Sequence, residues 1–213
     1  KFEMDEVEIR AVPTRVWKNA PPSLAWLIQA SRMHGDRIFT IHEDERVSFE
    51  ANFRAVARLA TQLREMGVGK GDRVALAMRN LPEWPVVFFA AVSIGAILVP
   101  LNAWWTAGEL DYGLRDSGSV VLFTDGERYD RLADALPGLP DLKHIVVSRA
   151  RGPLGAGVRQ LEDLIGKPGD WAELPDAPLP AEPSLVPDDD ATIFYTSGPT
   201  GHPKGALGPH RTP

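Results

Sequence analysis

Residues Tyr195 to Gly205 read Tyr-Thr-Ser-Gly-Pro-Thr-Gly-His-Pro-Lys-Gly, the densest concentration of chemically useful groups in the chain. Gly198, Gly201 and Gly205 can take positive φ and let the backbone approach an anion, so that several N–H groups converge on phosphate oxygens. Thr196, Ser197 and Thr200 add hydroxyl donors, and Lys204 adds a compact positive charge. Such a turn suits the grip of a triphosphate. It is not the Walker A arrangement, which needs Gly-Lys followed by Ser or Thr, because Lys204 stands between Pro203 and Gly205. Kinase and GTPase chemistry therefore fit poorly. An ordinary glycine-rich surface turn is the bland alternative, and eleven ordered positions after an apolar strand weigh against it.

The elements that must position this turn follow from the patterning. Ala191–Thr196 reads as the strand that delivers it. Upstream, Pro21-Pro22-Ser23 opens a helix over Leu24–Met33, with Leu24, Leu27 and Ile28 on one face. Ile38–His42 and Val47–Phe49 read as strands joined by the polar turn Glu43-Asp44-Glu45. Phe53, Val56, Ala57, Ala60, Leu63 and Met66 recur at helical steps and Gly67 stands at the expected C-cap; Arg54, Arg58, Gln62 and Arg64 form the face expected to be solvated. Arg73–Met78, Ile97–Val99, Val120–Thr124 and His144–Ser148 read as apolar strands. Helices are expected from Pro82, from Thr106 with a capping box to Glu109, and over Glu127–Leu136. Strand and helix in alternation, with fully apolar strands, predict an α/β fold whose mainly parallel sheet is covered by helices.

The predicted organisation is an alternating region over 21–174, a Pro/Asp-rich connector over 175–190, and strand plus phosphate loop over 191–205. Five prolines between Pro175 and Pro187 remove ladder donors and predict an extended surface segment. Asp188-Asp189-Asp190 reads as a solvated turn, since three adjacent carboxylates without spaced partners rarely close a metal shell. No metal-ligating residue is assigned.

A formal net charge of -6 and a pI near 5.4 argue against a nucleic-acid surface. No cysteine is present, so disulfide and thiolate chemistry are excluded, in keeping with a reducing cytoplasmic setting. The first residues carry Glu3, Asp5, Glu6 and Glu8 in place of a secretory apolar run. Val86–Leu101 falls short of the roughly 18–20 residues that span a bilayer, and reads as helix, break at Gly95, and buried strand.

The stretch YTSGPTGHPKG resembles the signature loop of the adenylate-forming ligase superfamily: acyl-CoA synthetases, aryl-acid ligases, luciferases and adenylation domains of peptide synthetases. VSFEANFRAVARLATQLREMGVGKGDRVAL, AAVSIGAILVPLN and GELDYGLRDSGSVVLFTD resemble further segments of the same family in the same order. The resemblance covers the chain from about Leu24 onward and implies the N-terminal part of the large domain of an AMP-forming acyl-CoA synthetase. It implies activation of a carboxylic acid, fatty or otherwise apolar, with ATP and Mg²⁺, and then transfer to coenzyme A. Thr196, Ser197, Gly198, Thr200, Gly201 and Lys204, with Pro199 in the same loop, would cradle the β- and γ-phosphates; none is a nucleophile, and no catalytic residue is assigned.

Two departures from the family pattern stand out. Pro199 replaces the usual Ser or Thr and removes a hydroxyl and a backbone N–H from a donor loop. The family's later segments would lie beyond Pro213, so the chain is expected to lack the catalytic lysine's domain and to be inactive alone. His210 reads as part of a following helix start, and Trp104 and Trp105 as packing residues, against a neighbouring layer or a partner chain. Expected partners are the acid, ATP and CoA, with a homodimer as the one protein assembly considered. Loading of a carrier protein, and a non-catalytic short paralogue that binds nucleotide or a partner, stay open as alternatives.

Overall fold

The computed structural model describes residues 3–196, 201 and 203–211. In chain order the described elements are β1 Met4–Ile9, β2 Val12–Trp17, α1 Leu24–Ser31, β3 Ile38–His42, β4 Glu45–Ser48, α2 Phe49–Glu65 and β5 Arg73–Ala77. They continue with α3 Glu83–Ser93, β6 Ile97–Pro100, α4 Ala107–Ser117, β7 Val121–Asp125, α5 Gly126–Leu132, β8 His144–Ser148, β9 Arg159–Gln160, α6 Leu161–Ile165, β10 Asp190–Thr196 and β11 Lys204–Pro209. Short 3₁₀ turns at Arg32–His34, Leu136–Gly138 and Pro168–Glu173 complete them.

Seven strands form one sheet in the order β11-β10-β6-β5-β7-β8-β9. Every pair in it is parallel except β10–β11. The alternation of buried side chains along the strands explains the two layers. Val74, Leu76, Leu98, Val121 and Phe123 face the α2, α3 and α6 side, while Ala75, Ala77, Val99 and Leu122 face α4 and α5. Both sides of the strands are therefore dry, as continuous apolar runs require.

Helix α2 forms where its period placed it. Ser48 caps it by accepting from the Ala51 N–H, and Phe53, Val56, Ala57, Ala60 and Leu63 are buried. Each large apolar side chain so buried contributes about 1.5–3 kcal/mol before entropy is counted. The capping box of α4 is also present, with Thr106 and Glu109 bonded reciprocally.

Several expectations change. Helix α1 stops at Ser31, and Ala25 and Ile28 are its buried residues while Leu27 is exposed. The helix expected over Glu127–Leu136 ends at Leu132, and Phe49 opens α2 instead of closing a strand. The hairpin β1–β2 and the strand β11 had no signal in the sequence reading. The face of α2 expected to be solvated is exposed at Arg58 and Arg64 and half-buried at Arg54 and Gln62, and it is also a row of donors: Arg54 bonds the carbonyls of Ala172 and Leu174, Arg58 that of Leu164, and Arg64 that of Pro180. The three aspartates each pair with a cation, Asp188 with Arg211, Asp189 with Lys70 and Asp190 with Arg10.

Candidate functional site

Strands β5 and β6 point their carboxyl ends the same way, and the chain leaves them for opposite faces: α3 packs on one side of the sheet, α4 on the other. A crevice outside the carboxyl ends of such strands is where open α/β sheets bind ligands. A cleft of about 1260 Å³ lies there. Arg79 and Asn80 after β5, Asn102–Thr106 after β6, Trp84 of α3, Tyr112 of α4, and Phe194 and Tyr195 of β10 line it.

The predicted phosphate loop opens on the same cleft. Gly201 and Pro203 line it, and Gly201 has φ +98°, a backbone that side chains rarely adopt. Thr196 and Lys204 are opposite one another at the mouth of the β10–β11 hairpin, and Lys204 is exposed. Gly205 faces Tyr195 across the hairpin; a Cβ there would meet the Ile193 side chain at 2.8 Å, so only glycine fits without displacement. Ser197, Gly198, Pro199 and Thr200 lie outside the described residues. The described site residues Thr196, Gly201 and Lys204 are thus brought to one end of the sheet.

The wall formed by residues 102–106 is held from behind. Arg128, fully buried in α5, donates Nε to the Ala103 carbonyl at 2.7 Å and Nη1 to both Asp125 oxygens at 3.1 and 3.2 Å. Asp125 in turn accepts the Arg79 N–H at 2.9 Å, and Arg131 donates to the Trp105 carbonyl at 2.6 Å. A buried ion pair of this kind is costly to break from one side, because the surviving charge is left without water. Trp105 packs edge-on against Tyr195 at 5.8 Å between centroids, and the exposed Trp104 ring carries the Arg79 guanidinium at 4.2 Å. Both tryptophans therefore line the cleft while also packing.

His210 stands in a turn, outside the described helices. It follows β11, is buried, and accepts the Leu24 N–H of α1 at its Nδ1, 3.3 Å away. Burial pushes its pKa down; Asp189 works against this and Lys70 with it. The imidazole is a neutral cap on a helix 186 positions away in sequence, a structural role. Among the described residues no group of three or more His, Cys, Asp or Glu could hold a metal ion, and no helix is long and apolar enough to cross a membrane.

Sequence reasoning missed Arg79, Asp125, Arg128 and Arg131, and also Tyr112 and Asp116. The available signal was positional: Asp125 and Arg128 follow an apolar strand directly, where carboxyl-end residues gather in α/β sheets.

Comparison with known proteins gives three kinds of match. A family model described as "AMP-binding enzyme" matches residues 27–212. A medium/long-chain-fatty-acid–CoA/3-oxocholest-4-en-26-oate–CoA ligase of Mycobacterium marinum is 34% identical over 181 residues, 82% of this chain and 32% of that protein. A 4-hydroxybenzoate–CoA/benzoate–CoA ligase of Rhodopseudomonas palustris is 32% identical over 179 residues, 84% of this chain and 31% of that protein. A crystal structure of an anthranilate CoA ligase with anthranoyl-AMP superposes with a TM-score of 0.79 at 25% identity, covering 91% of this chain and 36% of that one. The chain spans about a third of the length of the curated relatives it matches.

Proposed function

This chain belongs to the AMP-binding enzyme family, and on that footing we propose that it supplies the phosphate grip of a ligase that joins a carboxylic acid to coenzyme A. The acid's carboxylate oxygen attacks the α-phosphorus of ATP, the bond to the bridging oxygen breaks, and pyrophosphate departs with that electron pair. The CoA thiol then gives up its proton, its sulfur bonds to the acyl carbon, and AMP leaves. Thr196, Ser197, Gly198, Thr200, Gly201 and Lys204, with Pro199 in the same turn, hold the β- and γ-phosphates through backbone and hydroxyl donors and one cation. Their contribution is positioning and charge stabilisation of the departing pyrophosphate.

The observation that carries this reading is the opening of the β10–β11 turn onto the cleft at the carboxyl edge, with Gly201 and Pro203 in its lining. Mg²⁺ would arrive with the ATP phosphates; the described residues offer no carboxylate cage for it, and no step is routed through it. The acid is apolar, fatty in the simplest reading. Support comes from the aromatic lining by Trp84, Trp105 and Phe194, and from relatives named for fatty and for aromatic acids.

The test is Lys204→Ala in the full-length protein. Lys204 is the only cation in the turn, so ATP should bind more weakly by about 1.5–3 kcal/mol while AMP, which lacks the outer phosphates, is held nearly as before. Calorimetry with both nucleotides reads the difference. Equal losses for ATP and AMP would remove Lys204 from the β/γ end.

A further inference from the structure

The flanks of the phosphate loop are fixed by one helix. Tyr195, immediately before Thr196, donates its hydroxyl to Asp116 Oδ2 at 2.7 Å. On the other flank the Pro203 carbonyl, immediately before Lys204, accepts the Tyr112 hydroxyl at 3.2 Å. Tyr112 also lies 3.5 Å from Asp116 Oδ1. A phenol has one proton to give, so the shorter, carbonyl contact is the bond and the Asp116 contact is electrostatic. Tyr112 and Asp116 stand one helical turn apart on α4, so a single face of a rigid element meets both ends of a loop whose interior is seven residues long.

We propose that Asp116 and Tyr112 are positioning residues that fix the mouth of the phosphate loop against α4, in the orientation at which the loop meets the outer phosphates of ATP. The inference rests on the phosphate-grip reading above. Neither side chain is asked to touch the nucleotide; Tyr112 acts through the Pro203 carbonyl it anchors and Asp116 through the Tyr195 side chain.

Three features separate this arrangement from ordinary surface bonding. Tyr195 is boxed in: its ring meets Trp105 edge-on at 5.8 Å and lies over Gly205, where a built Cβ would come within 3.6 Å of the ring. Its hydroxyl is held in its protonated, donating form, since burial first, then the hydrogen bond to Asp116 and its charge, push its pKa up. The bond from a neutral donor to a carboxylate is of the stronger, charge-assisted kind. The β10–β11 ladder already closes the loop's ends, with Thr196 opposite Lys204, and the α4 contacts remove the swing of that closed mouth against the cleft wall before the ligand arrives.

The experiment compares Asp116→Ala, Asp116→Asn and Tyr112→Phe with wild type in the full-length protein, by steady-state kinetics and by hydrogen exchange of the 195–205 peptide without nucleotide. Asp116→Ala should raise the KM for ATP about ten-fold and speed exchange in that peptide, with kcat and the KM for the acid within about two-fold of wild type. Asp116→Asn keeps a carbonyl acceptor for Tyr195 and should recover most of the loss. Tyr112→Phe, which removes one oxygen and leaves the packing, should raise the KM for ATP by about three-fold. A fall in kcat with comparable rises in both KM values, or no rescue by Asn, would mark a merely structural residue and overturn the proposal. Exchange keeps the two readings apart. Unchanged exchange in Asp116→Ala overturns the clamp even where Lys204→Ala weakens ATP. Faster exchange supports the clamp even where Lys204→Ala leaves ATP untouched, and in that case it is the phosphate-grip reading that fails.

Discussion

The proline-rich stretch Pro175–Pro187 meets one side-chain donor after another, whereas the loop between β10 and β11 is gripped, among the described residues, at its flanks. Along the first, Arg54 reaches the Leu174 carbonyl, Arg32 the Asp176 carboxylate, Arg64 the Pro180 carbonyl and Glu182, and Lys70 the Ser184 carbonyl. Proline removes N–H groups and leaves carbonyls, so this stretch is rich in acceptors without donors. Arg54 and Arg64 of α2 supply donors, with Arg32 before that helix and Lys70 after it. The second loop is the reverse case by composition: glycine, serine and threonine make it rich in donors. Its natural complement is an anion. One irregular segment is completed by the protein itself, the other, on the proposal above, by a substrate, and the sign of the missing partner tells them apart.

The comparison breaks most visibly at the foot of the strapped segment. Trp171 is fully buried just before the prolines, and its indole N–H reaches the Gly166 carbonyl. Trp171→Ala should cost about 3–5 kcal/mol of stability, through a cavity beneath the α2 layer. Denaturant unfolding reads it, and a loss below about 1 kcal/mol would mean that the segment is not seated there.

Next in size is Arg54→Ala. It strands the Ala172 and Leu174 carbonyls and leaves Glu50 with Arg32 alone, for a loss of about 1.5–3 kcal/mol with ATP affinity unchanged. A fall in ATP affinity equal to the fall in stability would show that the two loops are coupled and not separately completed.

A smaller effect sharpens the donor side. Pro199 gives a phosphate neither a hydroxyl nor an N–H, so Pro199→Thr should tighten ATP by about 0.5–1.5 kcal/mol for each bond regained. The stiffness lost with proline offsets about 0.4–1 kcal/mol at most. AMP should hardly respond. Weaker ATP binding in the Thr variant would remove position 199 from the phosphates.

The last effect is a pH dependence at the far end of β11. The folded pKa of His210 is lowered, so its contribution to stability is complete above the unfolded value near 6.5 and is lost as the pH falls below it. Protonation would take the Nδ1 lone pair from the Leu24 N–H. The melting temperature should therefore fall between about pH 7 and pH 5, and His210→Gln should flatten that slope. An unchanged slope in the variant would assign it to other groups.

What the sequence determined by itself was whatever depends on near neighbours. The period of Phe53, Val56, Ala57, Ala60 and Leu63, the box between Thr106 and Glu109, and the apolar runs that became β5 to β8 are local patterns, and helices and buried strands obey them. The turn after Thr196 stood out for the same reason, and its phosphate role stays a proposal that rests on residue types. Tertiary structure alone decided whatever depends on who arrives from elsewhere in the chain. Strand β11 reads Lys-Gly-Ala-Leu-Gly-Pro, a poor strand by propensity, and it forms because β10 offers it an antiparallel edge. The arginines of α2 looked like a solvated face until carbonyls more than a hundred positions away came within 3.2 Å of them. Tyr112 and Asp116 looked like ordinary helix-surface residues for the same reason. A side chain's donor or acceptor is written in the sequence, but its partner is chosen only when the sheet folds and brings distant backbone within hydrogen-bond reach.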